Sequence, residues 1–173
     1  MKRLIIFSLL IFLFSVSSAQ EDLGHFNLKA GVSLHRTSLW KGPIAHVAGR
    51  LSLIYIFLNH FEVGAYGAYS KYRSYFDHTP DTPIVTYGME LNYNIFQRLR
   101  TEGEPKWALY ISGRMGGYYA FFPEEMESVT RKHRVDYGAY LGIEYSLSNY
   151  FTPYLEVGYG ELSFMELGLN FHF

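Results

Sequence analysis

Two sets of side chains in this 173-residue sequence could do chemistry by type and spacing: the charged residues Arg50, Glu90, Arg114, Glu156 and Glu166, and the close pair Ser33 and His35. Carboxylates brought together could divide acid and base roles, and charges set in a row could line a gated polar path. Ser33 and His35 could supply a nucleophile and its base if an acidic group oriented the imidazole. Each set also has a plainer reading. Buried charges pair because an unpaired one is too costly to keep, so the five read first as a structural ionic cluster. A spacing of two along a strand puts Ser33 and His35 on one face but fixes no hydrogen bond between them.

Other site chemistry is thin. The seven histidines (25, 35, 46, 60, 78, 133 and 172) are scattered without zinc-like spacing, so no metal and no cofactor is expected. The absence of cysteine excludes a disulfide framework, a thiolate nucleophile or metal ligand, and a lipidated bacterial N-terminus. A net charge of -1 without a basic field argues against nucleic acid as a partner, because phosphate binding needs clustered Lys and Arg. The charged stretch Glu124, Glu125, Glu127, Arg131, Lys132, His133, Arg134 has mixed signs, as an exposed loop tip carries, although it could serve as a recognition surface.

The elements that must position these residues are strands. From residue 26 onward, apolar and polar residues alternate with period two, and no stretch repeats at helical spacing. Eight runs are expected, beginning near residues 26, 44, 61, 84, 107, 135, 151 and 162. Turns at 58–60, 101–106 and 148–150 alternate with longer connections near 36–43, 74–83 and 122–134, and the last link, at Gly160, is tight. Pro153 must fall near a strand start, where its missing N–H costs no ladder bond. An even number of antiparallel strands with short and long connections alternating predicts an up-and-down barrel, short turns at one rim and loops at the other.

The first residues carry an address. Lys2 and Arg3 precede an apolar run of 13 residues, Leu4 to Val16, and Ser17-Ser18-Ala19 supplies a small-residue cleavage site. That run is shorter than the roughly 20 residues a membrane-spanning helix needs, so it reads as a cleaved export signal over 1–19. Residues 20–173 then form one domain, undivided by any linker or low-complexity stretch. Charged residues are only 18% of the chain and aromatics also reach 18%, a balance unlike that of soluble domains, in which charge is roughly 25%.

Alternation does not say which face points out: a soluble barrel hides its apolar face, a membrane barrel displays it. Here the polar face is Gly, Ser, Ala, Tyr and Glu with very few lysines, which suits a filled interior. On the apolar face, aromatics gather at strand ends (Phe26, Phe57, Phe61, Trp107, Tyr145, Phe151 and Phe171 at one rim; Tyr69, Tyr119, Tyr137 and Tyr159 at the other) with aliphatics between. Two aromatic girdles around an apolar band mark a wall that faces lipid. Arg50, Glu90, Arg114, Glu156 and Glu166 then fall inside near mid-height, beside Tyr66, Tyr110, Tyr140 and Tyr154, and leave little lumen in a barrel of eight strands.

The final strand closes the case. Glu166-Leu167-Gly168-Leu169-Asn170-Phe171-His172-Phe173 resembles the C-terminal assembly signal of bacterial outer-membrane barrels, on Glu166, Gly168, Phe171 and Phe173. As a whole, residues 24–173 resemble the small OmpA/OmpX-type barrels, particularly the outer-membrane β-barrel domain proteins of Bacteroidota. The resemblance implies outer-membrane localisation, insertion by the barrel-assembly machinery, and lipid and lipopolysaccharide as surroundings. The expected role is non-enzymatic, in envelope structure or surface interaction, with a plugged polar interior and no open pore. A lipid-modifying enzyme like the lipid A deacylases is the alternative, although their His-x-Ser arrangement is inverted here at Ser33 and His35. A soluble periplasmic lipocalin-like binding barrel is the third reading.

Overall fold

The computed structural model describes residues 26–37, 44–58, 60–72, 82–95, 107–121, 133–148 and 150–173. The export signal over 1–19, the start of the mature chain at Gln20, and the connections 38–43, 73–81, 96–106 and 122–132 lie outside the described residues.

Eight strands form: β1 (Phe26–Thr37), β2 (Ile44–Leu58), β3 (Phe61–Tyr72), β4 (Thr82–Asn94), β5 (Trp107–Ala120), β6 (His133–Tyr145), β7 (Phe151–Gly160) and β8 (Ser163–His172). Each pairs antiparallel with its neighbours in the sequence, and β1 pairs with β8 to close the barrel. Closure satisfies the backbone of both end strands, which would otherwise be open edges. At the rim with the short turns, one bond set is local and one joins neighbouring strands. The Ser148 hydroxyl accepts from the Tyr150 and Phe151 amides at 3.2 Å each, and the Asn94 amide donates to the His60 carbonyl at 2.8 Å. The β6–β7 ladder begins only at Tyr154, so Pro153 withholds no donor from β6.

Several boundaries differ from the sequence expectation: β1 runs through Thr37 and β4 starts at Thr82, inside the connections expected at 36–43 and 74–83, and β2 runs through Leu58. β6 starts at His133, so His133 and Arg134 leave the expected loop and pair with Tyr119 and Tyr118. A strand of a barrel continues beyond its apolar band, and there polar residues cost nothing. At the same rim, β8 starts at Ser163 and not at Leu162: Leu162 is buried in the 161–162 bend, and the β1–β8 register shifts between Leu34 and His35 so that Phe164 is bulged. The tight link from Gly160 forces this bulge, since one extra residue must be absorbed before the outward stripe Met165, Leu167, Leu169 resumes.

The two faces are inverted relative to a water-soluble fold. Glu156 and Asn170 inside are 0% exposed, whereas Met115 and Leu167 outside are 71% and 61% exposed. At the rim with the short turns, aromatic pairs sit directly across from one another: Phe26 with Tyr55, Phe61 with Tyr93 and Trp107 with Tyr145, with ring centroids 5.0, 4.9 and 4.6 Å apart. Each pair occupies opposed positions of neighbouring strands, the geometry in which cross-strand side chains interact best.

Candidate functional site

Strict alternation sends the even-numbered residues of β2 and β4–β8 inward, which brings Arg50, Glu90, Arg114, Glu156 and Glu166 from five strands into one buried cluster. Arg50 Nη1 donates to Glu166 Oε2 at 2.6 Å and Nη2 to Ser52 Oγ at 2.9 Å, while Nη2 also pairs with Glu90 Oε2. Arg114 pairs with Glu156 through Nη2, with Glu166 at 3.2 Å through Nη1, and approaches Glu90 at 3.4 Å through Nε. Both guanidinium groups lie over aromatic faces, Arg50 over Tyr66 at 5.0 Å and Arg114 over Tyr140 at 4.2 Å from the ring centroid. Planar, forked donors suit this work, since each Arg serves three carboxylates from different directions.

Tyrosines complete two of the three carboxylates. Tyr154 Oη donates to Glu166 Oε1 at 2.5 Å and Tyr110 Oη to Glu156 Oε1 at 2.7 Å. Lys29 extends the network beyond the five residues. Its Nζ lies 3.7 Å from both Glu144 and Glu156, donates to Tyr110 Oη at 3.3 Å, and sits 4.3 Å from the Tyr110 ring centroid. Tyr66 Oη donates to Asp136 at 2.9 Å, and Glu62 accepts from Asn92 and Asn94 at 3.1 and 3.0 Å. Lys29, Glu62, Asp136 and Glu144 all lie on inward positions that alternation identifies. Counting from strand ends sets them away from mid-height, and only strand tilt and stagger bring Lys29 alongside Glu156.

Bulky interior tyrosines lie against inward glycines. The Tyr110 ring lies directly against Gly142, where a Cβ would overlap the ring carbons, and Tyr154 Oη is 2.7 Å from the Cβ position of Gly168. Gly142→Ala is therefore expected to destabilise the barrel by about 1–3 kcal/mol through overpacking. A lowered urea midpoint in the gel-shift assay described below will measure it, and pairing the change with Tyr110→Leu will recover part of the loss.

The Ser33 and His35 side chains both face inward on β1 and are buried. The Ser33 hydroxyl makes no hydrogen bond, so it is not paired with the His35 imidazole as an activated nucleophile would be. His172 at the opposite rim lies 2.9 Å from both Asn27 and Thr152, and His133 stands on the outer wall 2.6 Å from the Tyr87 hydroxyl. His25 and His78 lie outside the described residues. At the C-terminus, Glu166 and Gly168 face the interior, while Phe171 stands opposite Phe151 on the outer wall. The Phe173 amide donates to the Phe26 carbonyl at 3.2 Å and finishes the closing seam.

What this arrangement does chemically is bind the wall to itself. Cation, carboxylate and tyrosine contacts link all eight strands across the lumen, through Lys29 on β1, Arg50 on β2, Tyr66 on β3, Glu90 on β4, Arg114 on β5, Asp136 on β6, Glu156 on β7 and Glu166 on β8.

The sequence matches no protein-family profile and no curated protein sequence. Solved structures share the fold. Neisserial surface protein A aligns with a TM-score of 0.63 at 14% identity, over 85% of this chain and 95% of that one. The outer membrane protein OprG from Pseudomonas aeruginosa aligns at 0.60 and 11% identity, over 87% and 96%. The attachment invasion locus protein Ail of Yersinia pestis, solved with the heparin analogue sucrose octasulfate, aligns at 0.57 and 16% identity, over 87% and 99%. The chain is an all-β, closed, eight-stranded antiparallel barrel built like those of bacterial outer-membrane proteins.

Proposed function

We propose that this protein is an integral outer-membrane barrel with a non-enzymatic role in envelope structure or surface interaction, exported by a signal over residues 1–19 and mature over 20–173. One observation carries the reading: the described wall displays its apolar side chains outward and keeps its ionic network inside. In water that arrangement exposes apolar area and buries charge at the same time, and both terms oppose folding. In a bilayer the apolar wall is solvated by lipid, and the network crosses the membrane shielded by the wall.

The interior is a plug. What supports this reading is that, among the described residues, Arg50 and Arg114 reach across the lumen to Glu90, Glu156 and Glu166, with Tyr66, Tyr110, Tyr140 and Tyr154 buried beside them. Within the outer-membrane class, the pattern of residues 24–173 supports a small OmpA/OmpX-type barrel of Bacteroidota. Its C-terminal signal at Glu166, Gly168, Phe171 and Phe173 is then what the barrel-assembly machinery reads, and lipid and lipopolysaccharide are its surroundings. A lipid-modifying enzyme finds no support at Ser33, whose hydroxyl has no base bound to it. A soluble lipocalin-like barrel would need its apolar face inside, the reverse of what is seen.

The test is expression with the signal peptide in a bacterium, isolation of outer membranes, and electrophoresis in SDS with and without boiling. A membrane-bound band that migrates differently after boiling is expected, because a closed barrel resists SDS until heated. A soluble periplasmic band with no such shift would overturn the reading.

A further inference from the structure

The outer wall holds an open concavity of about 840 Å³ where Ala30, Gly49 and Gly67 lie staggered on three adjacent strands, with Leu51 standing between Ala30 and Gly67 and Gly49 lying between Val32 and Tyr69. Leu51, Leu167, Leu169, Val32 and Tyr69 rise around it. Glycine is disfavoured inside strands, and where it occurs it marks a bulge, a close packing contact or a place where something else approaches the backbone. Most inward glycines, Gly142 and Gly168 among them, have their reason in the tyrosines that lie on them. Gly49 and Gly67 have none of this kind. A Cβ on Gly49 would meet nothing within 4 Å, and one on Gly67 only a carbonyl oxygen at 4.0 Å. Both residues sit in regular ladder positions, away from any register shift.

On this basis, and resting on the membrane reading above, we infer that the groove is a binding site for an acyl chain of an anionic membrane lipid, with the headgroup at Lys71. An apolar hollow in a lipid-facing wall forfeits dispersion contacts unless something fills it. A flexible chain fills it. The headgroup assignment comes from charge. Lys71 lies on the same outward face of β3 as Gly67 and Tyr69, exposed, roughly 7 Å further along the strand from Tyr69 towards the rim with the long loops. The far wall is Tyr87, whose hydroxyl is held by His133 at 2.6 Å, so the groove has one ordered aromatic side.

The experiment uses the protein purified from outer membranes in mild detergent, incubated with phosphatidylglycerol or with phosphatidylcholine bearing the same acyl chains. Bound lipid is counted by native mass spectrometry. Retention of one lipid is expected, with about a fivefold preference for phosphatidylglycerol that Lys71→Ala removes. Gly49→Leu combined with Gly67→Leu fills the groove and abolishes retention of both lipids. Gly113→Leu, at an equally open outward glycine between Leu91 and Ala139, leaves retention unchanged. The milder pair Gly49→Ala with Gly67→Ala, which adds atoms only to open space, weakens retention and guards against misfolding of the leucine pair. Groove-filled variants that still shift on boiling yet hold lipid like the wild type would overturn the inference, and so would a dimer that the same substitutions disperse. Absence of a boiling shift in the wild type would instead overturn the membrane reading itself.

Discussion

Replacement of Arg114 by methionine is expected to lower the stability of the folded barrel by about 3–5 kcal/mol, the cost of removing one partner from a buried ion pair. Arg114 reaches three carboxylates, Glu90, Glu156 and Glu166, and all of them are buried. Methionine fills part of the volume but leaves those carboxylates with Arg50 and Lys29 as the remaining cations of the central network. The measurement is the urea concentration at which the boiling-dependent band is lost from protein refolded into lipid vesicles. The partner test is Arg114→Met with Glu156→Gln. Removing a charge of each sign relieves the imbalance, so the double variant should be more stable than Arg114→Met alone. If the two unfold at the same midpoint, the network contributes nothing through charge, and the structural role given to Arg50, Glu90, Arg114, Glu156 and Glu166 fails.

Leu141→Lys is expected to cost about 2–4 kcal/mol in the same assay, as a cation placed on the lipid face at the bilayer midplane does. Leu141 lies near the middle of β6, 51% exposed, with Ile111 on β5 and Val157 on β7 directly beside it on the outer wall. In water this residue would be an ordinary surface position, and lysine there would be neutral or mildly favourable. The sign of the effect therefore reports the solvent of the wall. Tyr159→Lys, at the rim with the long loops, should cost only about 0–1 kcal/mol, since depth sets the penalty. Equal effects at both positions would contradict a bilayer around this wall.

The inferred acyl-chain groove and the interior network make separate demands on the glycines of one barrel. Gly142 yields space inward to Tyr110, and a larger residue there must displace a ring that bonds Glu156. Gly49 yields space outward to whatever surrounds the protein. Stability should follow the first and lipid retention the second.

The sequence by itself determined which residues share a face, because the two-residue period of a strand is a local property that needs no partner. From that period alone come the eight strands, the inward placement of Arg50, Glu90, Arg114, Glu156 and Glu166, the outward aromatics at the rims, and the turn at Ser148. It also places Lys29, Glu62, Asp136 and Glu144 inward, but it assigns none of them a neighbour. Partners were decided by the tertiary structure. Arg50 and Glu166 are 116 residues apart and meet only because β1 pairs with β8 and the barrel closes. Lys29 reaches Glu156 through the tilt and stagger of closed strands, which no strand carries alone. Pairing of β1, β2 and β3 likewise decided that Ala30, Gly49 and Gly67, unremarkable in their separate runs, lie staggered in one patch of the outer wall, each opposite a larger side chain of the next strand. A period is written in one strand, whereas a contact across the lumen or around the wall depends on the register of every ladder between its two ends.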